Sequence, residues 1–352
     1  YELARRGASV QVLDDRPTGM GATQASAGVL APYIEAEEGS PLLDLTVRSL
    51  ELFNGLVARV SSESGVTVLY RRSGTLDVAV HEDRMRKLRA TAKLLASRDV
   101  AAEIVDGERA HGEEPYLSDD VIGGLVIPTH GFVAGVELTR ALATAARRQG
   151  AQVIEGGRVV RIARSDGDFV VETSRGTIAG NAVVVAAGSW SGQIAVDGIS
   201  AHLPVRPVRG QLLHVSWSGA PLRRVTWSER CYLVPWDDGT VLVGATVEEA
   251  GFDERTTVAG VRDLLEAACD AVPHAWTAGF LGARVGLRPA TLDGLPVIGP
   301  SVVLPNLFYA TGHYRNGVLL APLTAQLVAD AMLDNRMDPA LAALAPQRFG
   351  DL

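Results

Sequence analysis

The chain has 352 residues, 47% hydrophobic and 21% charged, with 33 basic against 41 acidic side chains and a net charge of −8. That length accommodates roughly two domains of about 150 residues with large cores, and an acidic balance without a basic block argues against a nucleic-acid or anionic-lipid binder. Two cysteines, Cys231 and Cys269, exclude a disulfide framework and any multi-cysteine zinc or iron–sulfur site, and no metal ligand set is expected.

Tyr1–Arg6 reads as the end of a helix, with arginines in its last turn and Gly7 just past it. Ala8–Leu13 alternates like a short strand and runs into Asp14-Asp15. Helix, glycine, strand and acid form the second half of a dinucleotide-binding βαβ unit, in which the acid follows the glycine-rich turn by about 20 positions. The turn itself is therefore expected upstream of Tyr1, in a segment outside this sequence. Gly19–Pro32 (GMGATQASAGVLAP) is small-residue rich and suits a backbone pressed against a ligand.

Pro41–Val60 and Glu82–Ser97 carry helical apolar spacing, and strands are predicted at Val66–Tyr70, Gly74–Val80 and Gly123–Pro128. Glu137–Gln149 is an amphipathic helix ending at Gly150, followed by strands at Ala151–Ile154, Val159–Ile162, Phe169–Thr173 and Ala182–Ala187. The last of these is continuously apolar, as a buried parallel strand is. Strands dominate again at Gly210–Trp217, Arg224–Trp227, Cys231–Trp236 and Thr240–Thr246, and helices are predicted at Val258–Ala271 and Val318–Leu333. Uninterrupted apolar runs fall far short of the roughly 20 residues of a membrane span, so a soluble cytoplasmic protein is the expectation. Only Lys87 and Lys93 are lysines, so no arginine counts as functional by type alone.

Three carboxyl-terminal segments, Gly286-Leu-Arg-Pro-Ala-Thr291, Asp293–Gly299 and Ala310-Thr-Gly-His-Tyr-Arg-Asn-Gly317, join YELARRGASVQVLD, ATQASAGVLAP and VVVAAGSWS in one ordered pattern. Together they resemble the flavin-dependent D-amino acid oxidase superfamily, most of all its glycine oxidase branch associated with thiamine biosynthesis. The resemblance covers essentially the whole chain. It implies an α/β fold: a Rossmann-like, dinucleotide-binding domain from 1–60, 137–205 and 284–352, interleaved with an antiparallel-sheet substrate domain from 61–136 and 206–283.

Residue by residue, the resemblance gives Asp14 the place of the acid that meets the adenosine ribose, where the family usually has glutamate. Thr23, Ser26, Ala27, Gly28, Val29 and Leu30 match the segment beneath the pyrophosphate and isoalloxazine, and Val159 the residue whose backbone meets the adenine. Ala187, Gly188 and Trp190 match the turn after the buried strand. Gly286 and the loop Gly312, His313, Arg315, Asn316, Gly317, Val318 and Leu319 match the flavin-facing wall. FAD is thus implied, and no cysteine follows Cys269 in the carboxyl-terminal motifs, so it is expected to be held non-covalently.

On the substrate side, arginine offers a planar fork that pairs with a carboxylate bidentately. Arg288 matches the family's carboxylate clamp, Tyr232 the tyrosine that donates to the same carboxylate, and Arg315 an arginine near the flavin. Cys231 precedes Tyr232 and, by strand alternation, points into the core. Arg230 and Val247 occupy places where this branch puts pocket-lining residues. The implied activity is oxidation of a small amino acid (glycine, sarcosine or a small D-amino acid) to its imino acid. Molecular oxygen is reduced to hydrogen peroxide and the product serves thiamine thiazole synthesis. The branch often forms tetramers, so a homo-oligomer is a further expectation. The alternatives are a D-amino acid or sarcosine dehydrogenase passing electrons to a quinone or carrier, and a flavin-free, non-catalytic fragment.

Overall fold

Ser40 opens the 24-residue helix Pro41–Ser64: its hydroxyl accepts from the Leu42 N–H at 3.3 Å, proline takes the first helical position, and Gly65 ends the helix at φ 71°. The computed structural model, which describes residues 1–34 and 39–352, packs this helix against Gly135–Arg148 and Gly317–Leu333. Their apolar stripes meet at Phe53, Leu56, Val60, Leu138 and Leu319. Pro322 sits inside the last helix, and the N–H of the following Leu323 donates to Ser49 Oγ of the neighbouring helix at 3.3 Å.

Among the described residues, one helical segment, Tyr314–Leu333, is long and apolar enough to cross a bilayer. In this fold Leu320, Leu323 and Leu327 are buried against Ile298 and Phe308, as in a core helix. Polar residues such as Thr324, Gln326 and Asp330 punctuate it, so it holds no long uninterrupted apolar run.

Small sheets surround these helices. Gln11–Asp14 runs parallel to Gln152–Glu155, and Val183–Val185 runs parallel to Leu307–Thr311, whose other neighbour, Val297–Pro300, is antiparallel. A further sheet is built from Val159–Ser165, Asp168–Thr173 and Gly176–Gly180, with Ala195–Val196 on its edge.

The largest sheet has eight strands. From edge to edge they are Gly279–Ala290, Arg206–Ser216, Thr240–Gly244, Tyr232–Pro235, Val225–Trp227, Thr75–Ala79, Gly123–Ile127 and Glu103–Asp106. Alternation divides its side chains. Leu213, Val215, Leu233, Val241 and Val243 point to one face, which is closed by Leu264, Ala267, Ala268 and Ala271 of helix Val258–Ala271. Cys231 lies in that core, as alternation predicts, and burial pushes its thiol up to about 11. Leu212, Val234 and Leu242 point to the other face, against Ala27 and Phe132.

The predicted strand at Val66–Tyr70 shrinks to Tyr70–Arg71. Side chains supply its hydrogen bonds instead: Val66 N–H donates to Ser64 Oγ and Leu69 N–H to a Glu137 carboxylate oxygen. Val183–Val185 is likewise shorter than the apolar run around it, and the first strand starts at Gln11 and includes Asp14.

Candidate active site

A cleft of about 1950 Å³ lies between the open face of the large sheet and the parallel strands. Its size exceeds the roughly 300–1,000 Å³ typical of small-molecule pockets and suits a dinucleotide. Asp14, Thr23, Ser26, Ala27, Gly28, Val29, Val159, Ala187, Gly188, Trp190 and Gly286 line it, as do His313 and Arg315 through Leu319. Tyr232 and Arg288 line it too, so the sequence-derived cofactor and substrate residues meet in one place.

Two of the sequence-derived residues stand off the wall. Leu30 is fully buried in the helical core with Phe53 and Val133. Gly312, at φ +75°, turns the chain where a Cβ would strike Thr291 Cγ2 at 2.6 Å, so its part is backbone geometry. Arg230 and Val247 are also displaced from their expected pocket. Arg230 pairs with Asp270 at 2.6 Å, and Val247 is 55% exposed; neither lines the cleft.

One end of the cleft is set by the first strand. Asp14 closes it beside Glu155, and one carboxylate oxygen of Asp14 accepts the Arg16 N–H at 2.9 Å. Hydrogen bonds from the Thr18 hydroxyl and N–H hold the Glu155 carboxyl below its ordinary range. Arg16 pairs with Glu254 and lies 4.5 Å over the Trp190 ring, and Trp190 in turn meets Phe252. Sequence reading missed Arg16; its only local signal was its place two residues past Asp14.

The middle of the cleft is shaped by close backbone approach. Gly28, at φ +66°, lies so near Val133 that a Cβ would overlap the Val133 carbonyl, and its own carbonyl accepts the Val133 N–H at 2.9 Å. The turn Gly188–Gln193 is fastened by Ser189 Oγ donating to Leu287 O at 3.0 Å, and by Ser191 donating to Thr311 at 2.9 Å. Helix Gly317–Leu333 continues directly from the single 3-10 turn Tyr314–Asn316, with no side-chain cap at Asn316, and residues 316–319 at this helix start line the cleft. His313 stands just before it, hydrogen-bonded to Thr324 Oγ1 at 3.0 Å, and burial pushes its imidazole down to about 4. It is neutral at physiological pH.

At the end by the large sheet, register places Arg288, Tyr232 and Trp227 on one face. Gly286 pairs with Gly210, Leu212 with Gly244, Gly244 with Tyr232, and Tyr232 with Trp227. Arg288 lies opposite Val208, two residues from Gly286 on the same face. Its guanidinium crosses above Gly210, where a Cβ would overlap it. A Cβ at Gly244 would come within 2.5 Å of the Tyr232 hydroxyl, and one at Gly286 within 2.9 Å of the Ala22 backbone. These three glycines hollow out the sheet face, so that an arginine and a tyrosine lie flat over it and the Ala22–Ser26 turn closes down. Trp227, whose ring is 4.8 Å from that of Tyr232, completes the wall. Its signal was present in the sequence, as the aromatic partner across a hairpin from Tyr232.

Volume, an uncapped helix terminus, a strand-end carboxylate and glycine-cleared walls fit an adenine–flavin dinucleotide with a small carboxylate-bearing molecule beside it. Comparison with known proteins agrees. The family model described as DAO, FAD dependent oxidoreductase, matches residues 1–331. A glycine oxidase from Geobacillus kaustophilus (strain HTA426) is 33% identical over 333 residues, covering 94% of this chain and 88% of that protein. Its relative, the bifunctional protein ThiO/ThiG of Nostoc sp. (strain PCC 7120 / SAG 25.82 / UTEX 2576), is 33% identical over 97% of this chain, which spans 51% of its length. The crystal structure of glycine oxidase from Geobacillus kaustophilus superposes with a TM-score of 0.93 at 33% identity, over 99% of this chain and 94% of that one. The chain belongs to the DAO family of FAD-dependent oxidoreductases.

Proposed function

We propose that this protein oxidises a small amino acid, with glycine, sarcosine and small D-amino acids as the substrate class. The imino acid formed supplies thiamine thiazole synthesis in the cytoplasm. The supporting observation is the meeting of Arg288 and Tyr232 over the glycine-cleared sheet face, within a cleft that also takes the uncapped helix end. The similar glycine oxidase and ThiO/ThiG proteins support the choice of substrate and pathway.

In this reading residues 1–60, 137–205 and 284–352 hold FAD non-covalently, and 61–136 and 206–283 build the substrate side. A flavin held there would supply a two-electron acceptor, with molecular oxygen as the final oxidant. The C–H and an N–H of the amino acid are lost, C=N forms, and oxygen becomes hydrogen peroxide. This chain supplies orientation. The Arg288 fork pairs with the substrate carboxylate, the Tyr232 hydroxyl donates to the same group, and Trp227 limits the room beyond it. The N–H groups of Gly317–Leu319 favour electron-rich atoms at the flavin's edge.

A peroxide assay on the flavin-loaded enzyme with a panel of amino acids tests the proposal. Stoichiometric peroxide and imino acid from glycine or sarcosine are expected. Turnover with an artificial dye but without peroxide would place the protein among dehydrogenases instead.

A further inference from the structure

Arg288 is itself held from behind. Its Nη1 donates to Thr246 O at 3.0 Å and to Arg209 O at 3.3 Å. Two carbonyls accepting from one nitrogen fix the plane and direction of the guanidinium. Both carbonyls lie where the chain, after strand Thr240–Gly244, turns back beside strand Arg206–Ser216. There Arg209 and Glu248 exchange backbone hydrogen bonds at 2.9 and 3.0 Å, and Thr246 N–H donates to Gln211 O at 3.2 Å.

One side chain gathers this corner. Glu248 Oε1 accepts from Gln211 Nε2 at 2.7 Å and from Thr246 Oγ1 at 2.5 Å; Oε2 accepts from Arg209 Nη2 at 2.5 Å and Nε at 3.2 Å. Gln211, fully buried, continues to Thr257, which caps helix Val258–Ala271. Arg209 is 7% exposed and pairs with Asp253 as well. Glu248 thus ties together the two residues, Arg209 and Thr246, whose carbonyls hold Arg288.

We propose that Glu248 is a positioning residue for substrate recognition: its carboxylate fixes the Arg209 and Thr246 carbonyls that aim Arg288 at the substrate carboxylate. The inference rests on the reading of Arg288 as the carboxylate clamp. A glutamine at this position would keep the shape but, in either orientation, turn its NH₂ toward a nitrogen that can only donate, Gln211 Nε2 or the Arg209 guanidinium, so the corner must shift. Thr246→Val removes one donor to Glu248 while leaving the backbone carbonyl in place.

The test uses the flavin-loaded enzyme and acetate, which is glycine without its amine, as the probe. Calorimetry gives its dissociation constant, alongside KM and kcat for glycine, in wild type, Glu248→Gln, Thr246→Val, Arg288→Lys and the doubles with Arg288→Lys. Glu248→Gln should weaken acetate binding about tenfold or more, and Thr246→Val by less. KM for glycine should follow, with bound flavin unchanged. Because the effect runs through Arg288, either substitution should add less than about twofold in the Arg288→Lys background. Unchanged acetate affinity in Glu248→Gln, or multiplicative losses in the double variants, would overturn the proposal while leaving the clamp intact. Wild-type acetate affinity in Arg288→Lys would overturn the clamp itself, and this proposal with it. Should Glu248→Gln fail to fold, Thr246→Val and its double decide the question alone.

Discussion

The two faces of the eight-stranded sheet are written by the same strands in alternate residues, yet they have opposite characters. On one, Leu213, Leu233, Val241 and Val243 pack against a helix until almost no surface is left. On the other, the same strands carry Gly210, Gly244 and Gly286, with Tyr232, Trp227 and Arg288 lying across the space those glycines leave. Packing has been withheld from a patch of an otherwise sealed sheet. The closed face holds the fold; the open face trades core area for a shaped wall, on which Arg288 and Tyr232 each lie over a glycine.

Substitutions on the two faces should therefore fail in different ways. The largest effect expected is on the closed face. Leu213→Ala should cost about 2–5 kcal/mol of stability by leaving a cavity. Denaturant unfolding would show that loss, while the kcat/KM of the folded fraction stays near wild type. On the open face, Arg288→Lys keeps the charge but loses the bidentate fork, worth about 2–4 kcal/mol, or about 30–1000-fold in kcat/KM. Steady-state kinetics on glycine check this, and unfolding should barely change. Should Arg288→Lys lower stability as much as Leu213→Ala does, the division of labour between the faces would be wrong.

Tyr232→Phe keeps the ring over Gly244 and removes one donor, so a smaller loss of about 1–3 kcal/mol, mainly in KM, is expected. An unchanged KM on every amino acid of a panel would make Tyr232 a packing residue.

The smallest effect is a pH slope. Burial lowers His130 to about 3 and His313 to about 4, so between those values and their unfolded value near 6.5 the unfolded chain binds protons that the folded one refuses. Stability contributed by these neutral imidazoles is present above pH 6.5 and is lost as pH falls. Asp77, which burial raises to about 6 despite Arg84 beside it, runs the other way. Its protonated form favours the fold at low pH, and that contribution is lost as pH rises through 6. From these three groups, two protons against one give a slope of about 1 kcal/mol per pH unit between pH 5 and 6, stability rising with pH. Denaturation curves across that range would read it, and His313→Gln should flatten it.

Much of this was legible in the sequence where the signal is local. Period-2 alternation puts Cys231 in the core and Tyr232 on the other face, and helix Val258–Ala271 has the bounds expected from the sequence. What escaped depends on partners distant in sequence. That Gly210 clears space for Arg288 follows from a register between strands 78 residues apart (288 − 210). The Glu248 corner is likewise assembled by tertiary structure, and Val247 beside it proved exposed where a pocket wall was expected. Val66–Tyr70 reads as a strand in sequence, but the Ser64 and Glu137 side chains take the N–H groups of Val66 and Leu69.

The central claim, that the open face recognises an amino acid by its carboxylate, is tested most directly by anaerobic mixing of the flavin-loaded enzyme with glycine or with methylamine. The two share an amine and a C–H bond to oxidise, and only glycine has the group that Arg288 and Tyr232 would hold. Rapid bleaching of the flavin's visible absorbance by glycine, with little or none by methylamine, is the predicted result. Equal bleaching by both would contradict the account.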